Sequence, residues 1–213
     1  MAILLYCVAK RDAPGTELLT GVAGDPVVRV ELADLAIFTS SNPDKSNWLS
    51  PQLQASALEF HGVLSEIFES TAIIPFRFPT VFDDEKQLSE RMRERAPEYA
   101  VLLDKFRELA QMEIRITNPD LTKPIGSGAQ YLKLRQISAS VIDNFAAGLR
   151  ATLSELSHDW RRRPSKDGTR AFVLIQRNHV ADFRNILRDT RVPRELNVRV
   201  SGPWPVSEFI EAS

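Results

Sequence analysis

The chain has 213 residues, and its 27 Lys and Arg residues against 28 Asp and Glu residues leave a formal charge of −1. A nearly neutral chain lacks the strongly basic surface that attracts duplex DNA or an anionic membrane, so we expect neither nucleic acid nor a lipid membrane as a partner. The hydrophobic fraction of 43% indicates a folded globular protein, and a single cysteine excludes an internal disulfide and a Cys-rich zinc site.

The first predicted element is the apolar run Ala2–Ala9, which shows no alternation. Such a run is typical of a central strand that is buried on both faces. It is too short to span a bilayer, which needs about 20 residues. Lys10 and Arg11 follow the run instead of preceding it, so it does not resemble a signal peptide, and we expect a cytoplasmic protein.

The next segments predict a hairpin, a helix and an edge strand. Alternation over Val28–Leu32, followed by the run Leu35–Thr39, predicts the hairpin. Ser50 and Pro51 are expected to begin an amphipathic helix that ends near Ser70. Its predicted buried stripe is Leu53, Ala57, Phe60, Leu64 and Ile67. The following strand, Ile73–Phe78, is placed at a sheet edge or bulge because Pro75 removes a ladder donor.

The remaining chain continues with helices and strands. Asp83 opens a helix that Pro97 kinks or divides into two. Ser127 is expected to cap a long helix, and Asn178 a short one. The buried stripes are predicted at Leu88, Met92, Tyr99, Leu103, Phe106 and Ala110, and at Leu134, Ile137, Val141, Phe145, Leu149, Thr152 and Leu156. Strands are predicted at Met112–Ile116, Ala171–Ile175 and Leu196–Val200, with Trp160–Arg170 as a basic linker.

Strands and helices therefore alternate in two batches, which predicts an α+β fold of two small domains. Each domain is expected to be an open sheet with helices packed on one face, a modified ferredoxin-like arrangement. We place an N-terminal domain at 1–82 and a C-terminal domain at 83–213, the latter with an added helical pair at its start.

Sequence motifs for catalysis, metals or phosphate are weak. Gly126-Ser127-Gly128 precedes a helix but lacks the Lys of a P-loop, so it predicts a turn and cap. His61 is interpreted as a partly buried structural histidine, and the alternative is a base paired with Asp83, Asp84 or Glu85. Cys7 lies in the predicted buried strand and is expected to be inert. We predict no catalytic residue, no metal site and no cofactor.

One basic run leaves two interpretations open. Arg161-Arg162-Arg163, with Lys166 and Arg170, either contacts RNA or an acidic partner or is a solvated linker. The near-zero net charge and the lack of an aromatic-rich RNA-binding sheet favour the linker.

Three segments resemble a known family. Pro75-Phe76-Arg77-Phe78-Pro79-Thr80-Val81-Phe82 is similar to the Pro-x-Arg-Phe-Gly-Thr-x-Phe segment of the gas vesicle protein F/L family (GvpF/GvpL), with Pro79 in place of the glycine. Gly202-Pro203-Trp204-Pro205 resembles its C-terminal ending. His61 on the preceding helix, Glu113 in Met112–Ile116 and Tyr131 in Gly128–Leu132 occur in matching order, so the resemblance spans nearly the whole chain.

The resemblance implies an accessory or minor structural protein of gas vesicle assembly, without enzymatic activity, associated with vesicles in the cytoplasm. Its implied partners are the small, hydrophobic gas vesicle shell protein and other gas vesicle accessory proteins. The motif residues also have a structural interpretation, which we favour. Arg77 would pair with Asp83 or Glu113, whereas Phe82 and Trp204 would fill the core. The alternatives are a ferredoxin-like module that binds a small regulatory molecule, and a small enzyme that uses His61.

Overall fold

The computed structural model describes residues 2–13, 19–41, 52–122 and 128–210, except for the side chains of residues 52, 121, 122, 128–131, 133 and 134. Contacts divide these residues into two compact units: residues 2–108 with 205–210, and residues 109–204. Each unit combines one antiparallel sheet with helices. The predicted α+β class with two sheet-plus-helix units is therefore confirmed.

The first unit contains five strands and two long helices. They are β1 (Ile3–Lys10), β2 (Val28–Leu32), β3 (Leu35–Ser41), α1 (Gln52–Ser70), β4 (Ile73–Pro75), β5 (Val81–Phe82) and α2 (Glu85–Lys105). The sheet order is β2-β3-β1-β4, and β5 also pairs with β1. The prediction that Pro75 lies at an edge is confirmed, since β4 is the last strand of that order.

Helices cover both faces of the first sheet, whereas the sequence predicted helices on one face. Ile3, Leu5 and Ile37 pack in one core cluster with Leu88 and Met92 of α2. Side chains of consecutive residues in a strand point to opposite faces, and Tyr6 on the other face stacks on Phe60 of α1. Every residue from Ile3 to Ala9 is buried, as the unbroken apolar run predicts.

The second unit contains four strands and two helices. They are β6 (Leu109–Thr117), α3 (Gly128–Thr152), β7 (Ser157–Ser165), β8 (Gly168–Gln176), α4 (Val180–Asp189) and β9 (Asn197–Trp204). The sheet order is β7-β8-β6-β9, and all three pairings are antiparallel. Its core joins one face of β6 and β8 to α3 and α4, through residues such as Ile114, Val173, Leu149 and Phe183.

The two units differ from the predicted division after Phe82. The helix α2 belongs to the first unit, because Leu88, Met92, Tyr99 and Leu103 pack with β1 and β3. The local pattern located these four buried residues correctly, but the predicted Phe106 follows the helix and Ala110 lies in β6. The pattern carries no information on which sheet receives the stripe. The boundary lies between Glu108 and Leu109, and residues 205–210 return to the first unit.

The predicted basic linker Trp160–Arg170 is wrong, because these residues form most of the β7–β8 hairpin. The expected cap Asn178 is also displaced, since it lies in a short 3-10 helix, Arg177–His179, that precedes α4. Pro97 lies inside α2, which is a single helix from Glu85 to Lys105. The expected cap pair Ser50 and Pro51 lies outside the described residues.

The buried row of α3 is offset from the predicted stripe. Ile142, Ala146 and Leu149 are buried, and of these only Leu149 was predicted. The predicted Val141 and Phe145 are half-buried against the same core, whereas the predicted Ile137 is 54% exposed. None of the described helices is both long enough and apolar enough to cross a membrane.

Candidate partner-binding surfaces

The segment between β4 and β5 interrupts the edge strand that lies along β1. Cys7 is the register partner of Pro75, and Ile3 is that of Phe82. Between these pairs, Phe76 N donates to Tyr6 O and Leu5 N donates to Thr80 O, each at 2.9 Å. The chain thus leaves β1 after Phe76 and returns at Thr80, which defines a motif loop, residues 76–80.

Aromatic stacking fixes one side of the motif loop. The ring of Phe78 lies 5.2 Å from that of Phe60, and Phe60 stacks on Tyr6 at 4.8 Å. The peptide bond from Phe78 to Pro79 is cis. The hydroxyl of Thr80 donates to Arg77 O at 2.6 Å and closes the loop. Phe78 and Thr80 are both half-buried.

Tyr6, at the end of that stack, is the hydrogen-bonding centre of the first unit. Its fully buried hydroxyl accepts from Val22 N at 2.9 Å and shares a 3.1 Å hydrogen bond with Ser40 Oγ. A Cβ at Gly21 would lie 2.3 Å from the same oxygen, so only glycine fits there. Burial raises the pKa of Tyr6, which keeps the phenol protonated.

Phe76 fixes the other side of the motif loop. Its ring meets Tyr99 of α2 edge to face, with 6.0 Å between centroids. The guanidinium of Arg95 lies 5.2 Å from the centre of the Tyr99 ring and pairs with Glu98 at 2.7 Å. Phe76 and Phe78 therefore anchor the loop to two different helices.

Arg77 takes a different position from the one expected. It is exposed between the two anchored rings and forms no ion pair among the described residues. The predicted partner Glu113 lies in the second unit, where it pairs with Arg170 at 2.6 Å. Phe82 is half-buried against the core of the first unit, in accordance with the structural interpretation.

The C-terminal motif begins inside β9. Gly202 has a φ of +113°, and a Cβ there would lie 2.8 Å from Gln111 O and 3.0 Å from Met112 Sδ. Its peptide bond to Pro203 is cis, and its carbonyl accepts from Arg184 of α4. A backbone position that favours glycine thus marks the end of this strand.

Trp204 is not the core residue that was expected. It is 36% exposed, and its indole N–H donates to Ser201 Oγ at 3.2 Å. Pro203 is exposed, whereas Pro205 is buried in the first unit, as are Val206 and Phe209. The buried residues of this segment are therefore Pro205, Val206 and Phe209, and Trp204 is not one of them.

The strand β9 forms one edge of the second sheet, since β6 is the one strand that pairs with it among the described residues. Val200, at 38% exposure, and Trp204 give this edge an apolar character. Residues facing away from β6 leave backbone donors and acceptors available to another strand. At this open edge, residues 197–204, a family motif, exposed apolar side chains and a free strand edge occur together.

The side chains considered for catalysis do not converge. The predicted partial burial of His61 is wrong, because the residue is exposed on α1. His61 also forms no hydrogen bond or ion pair with Asp83, Asp84 or Glu85 in the described part of the chain. Asp84 instead accepts from Gln87 N at the start of α2. Cys7 is completely buried, and burial raises the pKa of its thiol.

The described residues contain no cluster of metal-ligating side chains, and they leave out three residues of the sequence motifs. Within residues 2–13, 19–41, 52–122 and 128–210, no three His, Cys, Asp or Glu side chains are arranged to hold a metal ion. Gly126, Ser127 and the side chain of Tyr131 lie outside the described residues. The sequence analysis did not predict the hydrogen bonds of Tyr6. The one sign of them in the sequence is that Tyr6 places a hydroxyl group within an otherwise apolar run.

Comparison with known proteins gives one family over nearly the whole chain. The model of the gas vesicle synthesis protein GvpL/GvpF family matches residues 2–211. The crystal structure of the gas vesicle protein GvpF from Anabaena sp. PCC7120 has a TM-score of 0.81 and 15% identity, covering 100% of this chain and 97% of that one. GvpF from Microcystis aeruginosa gives a TM-score of 0.79 and 16% identity, with 98% of both chains covered.

A search of curated protein sequences gave no significant match. The two crystal structures show that the fold is shared, and the family model shows that the sequence pattern is shared.

Proposed function

The chain belongs to the gas vesicle synthesis protein GvpL/GvpF family, and on that premise we propose that it serves gas vesicle assembly by binding the hydrophobic shell protein and other vesicle proteins. It acts through its surfaces, without catalysis, in the cytoplasm and in association with the vesicle. Family membership supports the role in assembly, and one surface supports the mode of binding.

The open edge of β9 is the observation that supports shell-protein binding. A shell subunit that has not yet assembled exposes apolar helices and strand edges, which aggregate in water. An edge strand can accept such a segment by adding one more strand to its sheet. Val200 and Trp204 then cover apolar side chains of the added segment, since both are exposed beside the free edge.

Two other edges are less suited to this role. The β4 and β5 edge consists of very short pieces separated by the motif loop, and Pro75 removes a backbone donor. The β7 edge carries Pro164 and the run Arg161–Arg163, which protect an edge against strand addition. The β9 edge has fewer such features, since Arg199 is its one charged residue and Pro203 lies next to its last residue. We therefore assign binding of the shell protein to β9 and a structural role to the motif loop.

The test uses lysine substitutions, since a charge on an edge strand opposes strand addition. We expect the unmodified chain to suppress the light scattering of purified shell protein as it is diluted from denaturant. The variant Val200→Lys with Trp204→Lys should lose most of this suppression while retaining the circular dichroism spectrum of the parent.

The matched control is Val28→Lys with Val30→Lys on β2, a further edge strand of the first unit that also exposes valines but lies outside the family motifs. These valines are 46% and 40% exposed, close to the 38% and 36% of Val200 and Trp204. The control should suppress scattering as the parent does. Equal loss in both variants, or no effect of the parent chain on the shell protein, would contradict the proposal.

A further inference from the structure

The strand β2 forms the edge of the first sheet that lies farthest from β4. Among the described residues, β3 is the one strand that pairs with β2. Leu19 O accepts from Val27 N at 2.9 Å, so the described part of the preceding loop pairs with the residue before β2. Within β2, every second residue directs its backbone donor and acceptor away from β3, where they are available to another strand.

The sequence of β2, Val-Arg-Val-Glu-Leu, is complementary to itself when two copies run antiparallel. With a twofold axis at Val30, this residue lies opposite Val30 of the second copy. Arg29 then lies opposite Glu31, and Val28 lies opposite Leu32, twice each by symmetry. Every pair is either apolar or of opposite charge, and both kinds stabilise adjacent strands.

The charges select this register over its neighbours. A shift of two residues keeps the apolar side chains on one face of the sheet, but it places Arg29 opposite Arg29 or Glu31 opposite Glu31. Like charges directly opposite each other destabilise a pair of strands. Among these three registers, the one centred on Val30 is therefore favoured, because each charge meets its opposite there.

The apolar residues of β2 provide the attraction. Val28 is 46% exposed and Val30 is 40% exposed. Val30 lies opposite Ile37 of β3, which belongs to the core cluster on the α2 side of the sheet. Alternate residues of a strand share a face, so Val28, Val30 and Leu32 lie in line with that core. A second β2 would cover the two valines and extend the same apolar row into a second sheet.

The ion pairs within the chain are compatible with this arrangement. One carboxylate oxygen of Glu31 accepts from Arg11 at 2.9 Å, and the other lies 3.4 Å from Arg29. The side chain of Glu31 is 46% exposed, and a carboxylate can accept several hydrogen bonds, so it can also meet Arg29 of a second copy. The same charges oppose an apolar segment without the complementary pattern. The β2 edge thus favours a copy of itself over other strands.

We propose that β2 pairs with β2 of a second copy of this chain, so that two first units share one continuous antiparallel sheet. An interface on a twofold axis uses the same surface of both copies and closes on itself, which gives a dimer and not a fibre. Five paired residues bury little area, so the dimer is reversible. This surface is separate from β9 and leaves that edge unchanged.

A single introduced cysteine tests the register in the full chain. Directly opposed Cα atoms of antiparallel strands lie about 4.5–5.5 Å apart, a distance that a disulfide spans. Val30→Cys should therefore form a covalent dimer on oxidation, measured by non-reducing electrophoresis. Val28→Cys is the matched control, because Val28 is slightly more exposed but lies about 13 Å along the strand from its copy. Cys7 is completely buried and does not interfere.

Two charge reversals test the complementarity. Arg29→Glu makes both charged positions of β2 acidic, and Glu31→Arg makes both basic, so each variant places like charges opposite each other in its own dimer. In sedimentation equilibrium, each variant alone should associate about tenfold more weakly than the parent. An equal mixture of the two should recover the association of the parent, because opposite charges then face each other. Circular dichroism checks that both variants are folded.

These measurements need no shell protein, so this proposal and the proposed function can fail separately. Val28→Lys with Val30→Lys should sediment as a monomer and still suppress the scattering of the shell protein, because its β9 is intact. A parent chain that stays monomeric up to its solubility limit would overturn the proposed dimer. Equal cross-linking of the two cysteine variants, or folded charge variants that associate no better when mixed, would overturn it as well.

Discussion

At the scale of the residue, Gly202 combines a left-handed backbone with a close neighbouring strand. Replacement by alanine would place a Cβ 2.8 Å from Gln111 O at a φ of +113°. We expect Gly202→Ala to lower the free energy of unfolding by about 1–3 kcal/mol, measured by urea denaturation. Gly148→Ala in α3 is the control, because the added Cβ would meet no atom within 4 Å apart from its chain neighbours and the nearby backbone of the helix. It should be neutral or stabilise by about 0.5–1 kcal/mol.

Tyr6→Phe removes a hydroxyl that no other group replaces. Val22 N and Ser40 Oγ would each lose a buried partner, and we expect a loss of about 1–3 kcal/mol in unfolding free energy. Far-ultraviolet circular dichroism in urea measures it. A change within about 0.5 kcal/mol would show that the hydroxyl does not stabilise the first unit.

The same residue predicts how stability depends on pH. Burial raises the pKa of Tyr6 in the folded state above the unfolded value of about 10. Below that value both states hold the proton, and the contribution to stability is fully present. As the pH rises through the folded pKa it is lost, because the unfolded state releases the proton more readily. Urea midpoints between about pH 8 and about pH 11 should fall less steeply for Tyr6→Phe than for the parent, although Tyr99 contributes to both slopes.

His61 tests whether the chain needs a catalytic base. The side chain is exposed and has no hydrogen-bonding partner in the described residues, so His61→Ala should keep the fold and the unfolding free energy. Under the proposed function, the variant should also restore vesicles to cells that lack the gene, scored by electron microscopy. Failure of a folded His61→Ala chain in this assay would support the enzyme alternative.

At the scale of the element, α2 depends on a reciprocal cap at its first turn. Asp84 Oδ1 accepts from Gln87 N at 2.8 Å, and Gln87 Oε1 accepts from Asp83 N at 3.0 Å. We expect Asp84→Ala to cost about 1 kcal/mol of unfolding free energy. Glu90→Ala is the control, because its 4.0 Å contact with Lys86 is exposed and should contribute within about 0.5 kcal/mol.

Sequence patterns predicted correctly those elements whose burial follows from the spacing of their own apolar residues. The unbroken run of β1 predicts its own burial, and the structure confirms it. The spacing of Leu88, Met92, Tyr99 and Leu103 does the same for α2. The strand β7 was missed because only Trp160 among its residues has a large apolar side chain, and it is held by pairing with β8 instead. Pairing between distant segments leaves no periodic signal in either of them.

The candidate surfaces were predictable in part for the same reason. Short motifs identified Gly202–Pro205, but Trp204 was expected in the core because its neighbours could not be known. The pairing of Arg115 with Arg199 could not be predicted, since only the register of β6 and β9 brings these two residues together. Arg115 and Arg199 look like ordinary exposed positions in two alternating strands.

At the scale of the whole molecule, the second unit is inserted into the first, which resumes at Pro205. Phe209 is 5% exposed and belongs to the first unit. We expect Phe209→Ala to cost about 3 kcal/mol and to raise amide hydrogen exchange in β1 and β3 more than in β6 and β8. Equal increases in both sheets, or a larger one in β6 and β8, would contradict this assignment.

The late return to the first unit also has a consequence for biosynthesis. A nascent chain that has emerged from the ribosome only as far as Asp189 has no β9 to complete one sheet and no Val206 or Phe209 to complete the other unit. Domains usually mature in order as translation proceeds. In this protein both units need residues 197–209 to be complete. We therefore expect termination of translation before residue 197 to release a polypeptide in which neither unit is complete, and proteolysis to remove it.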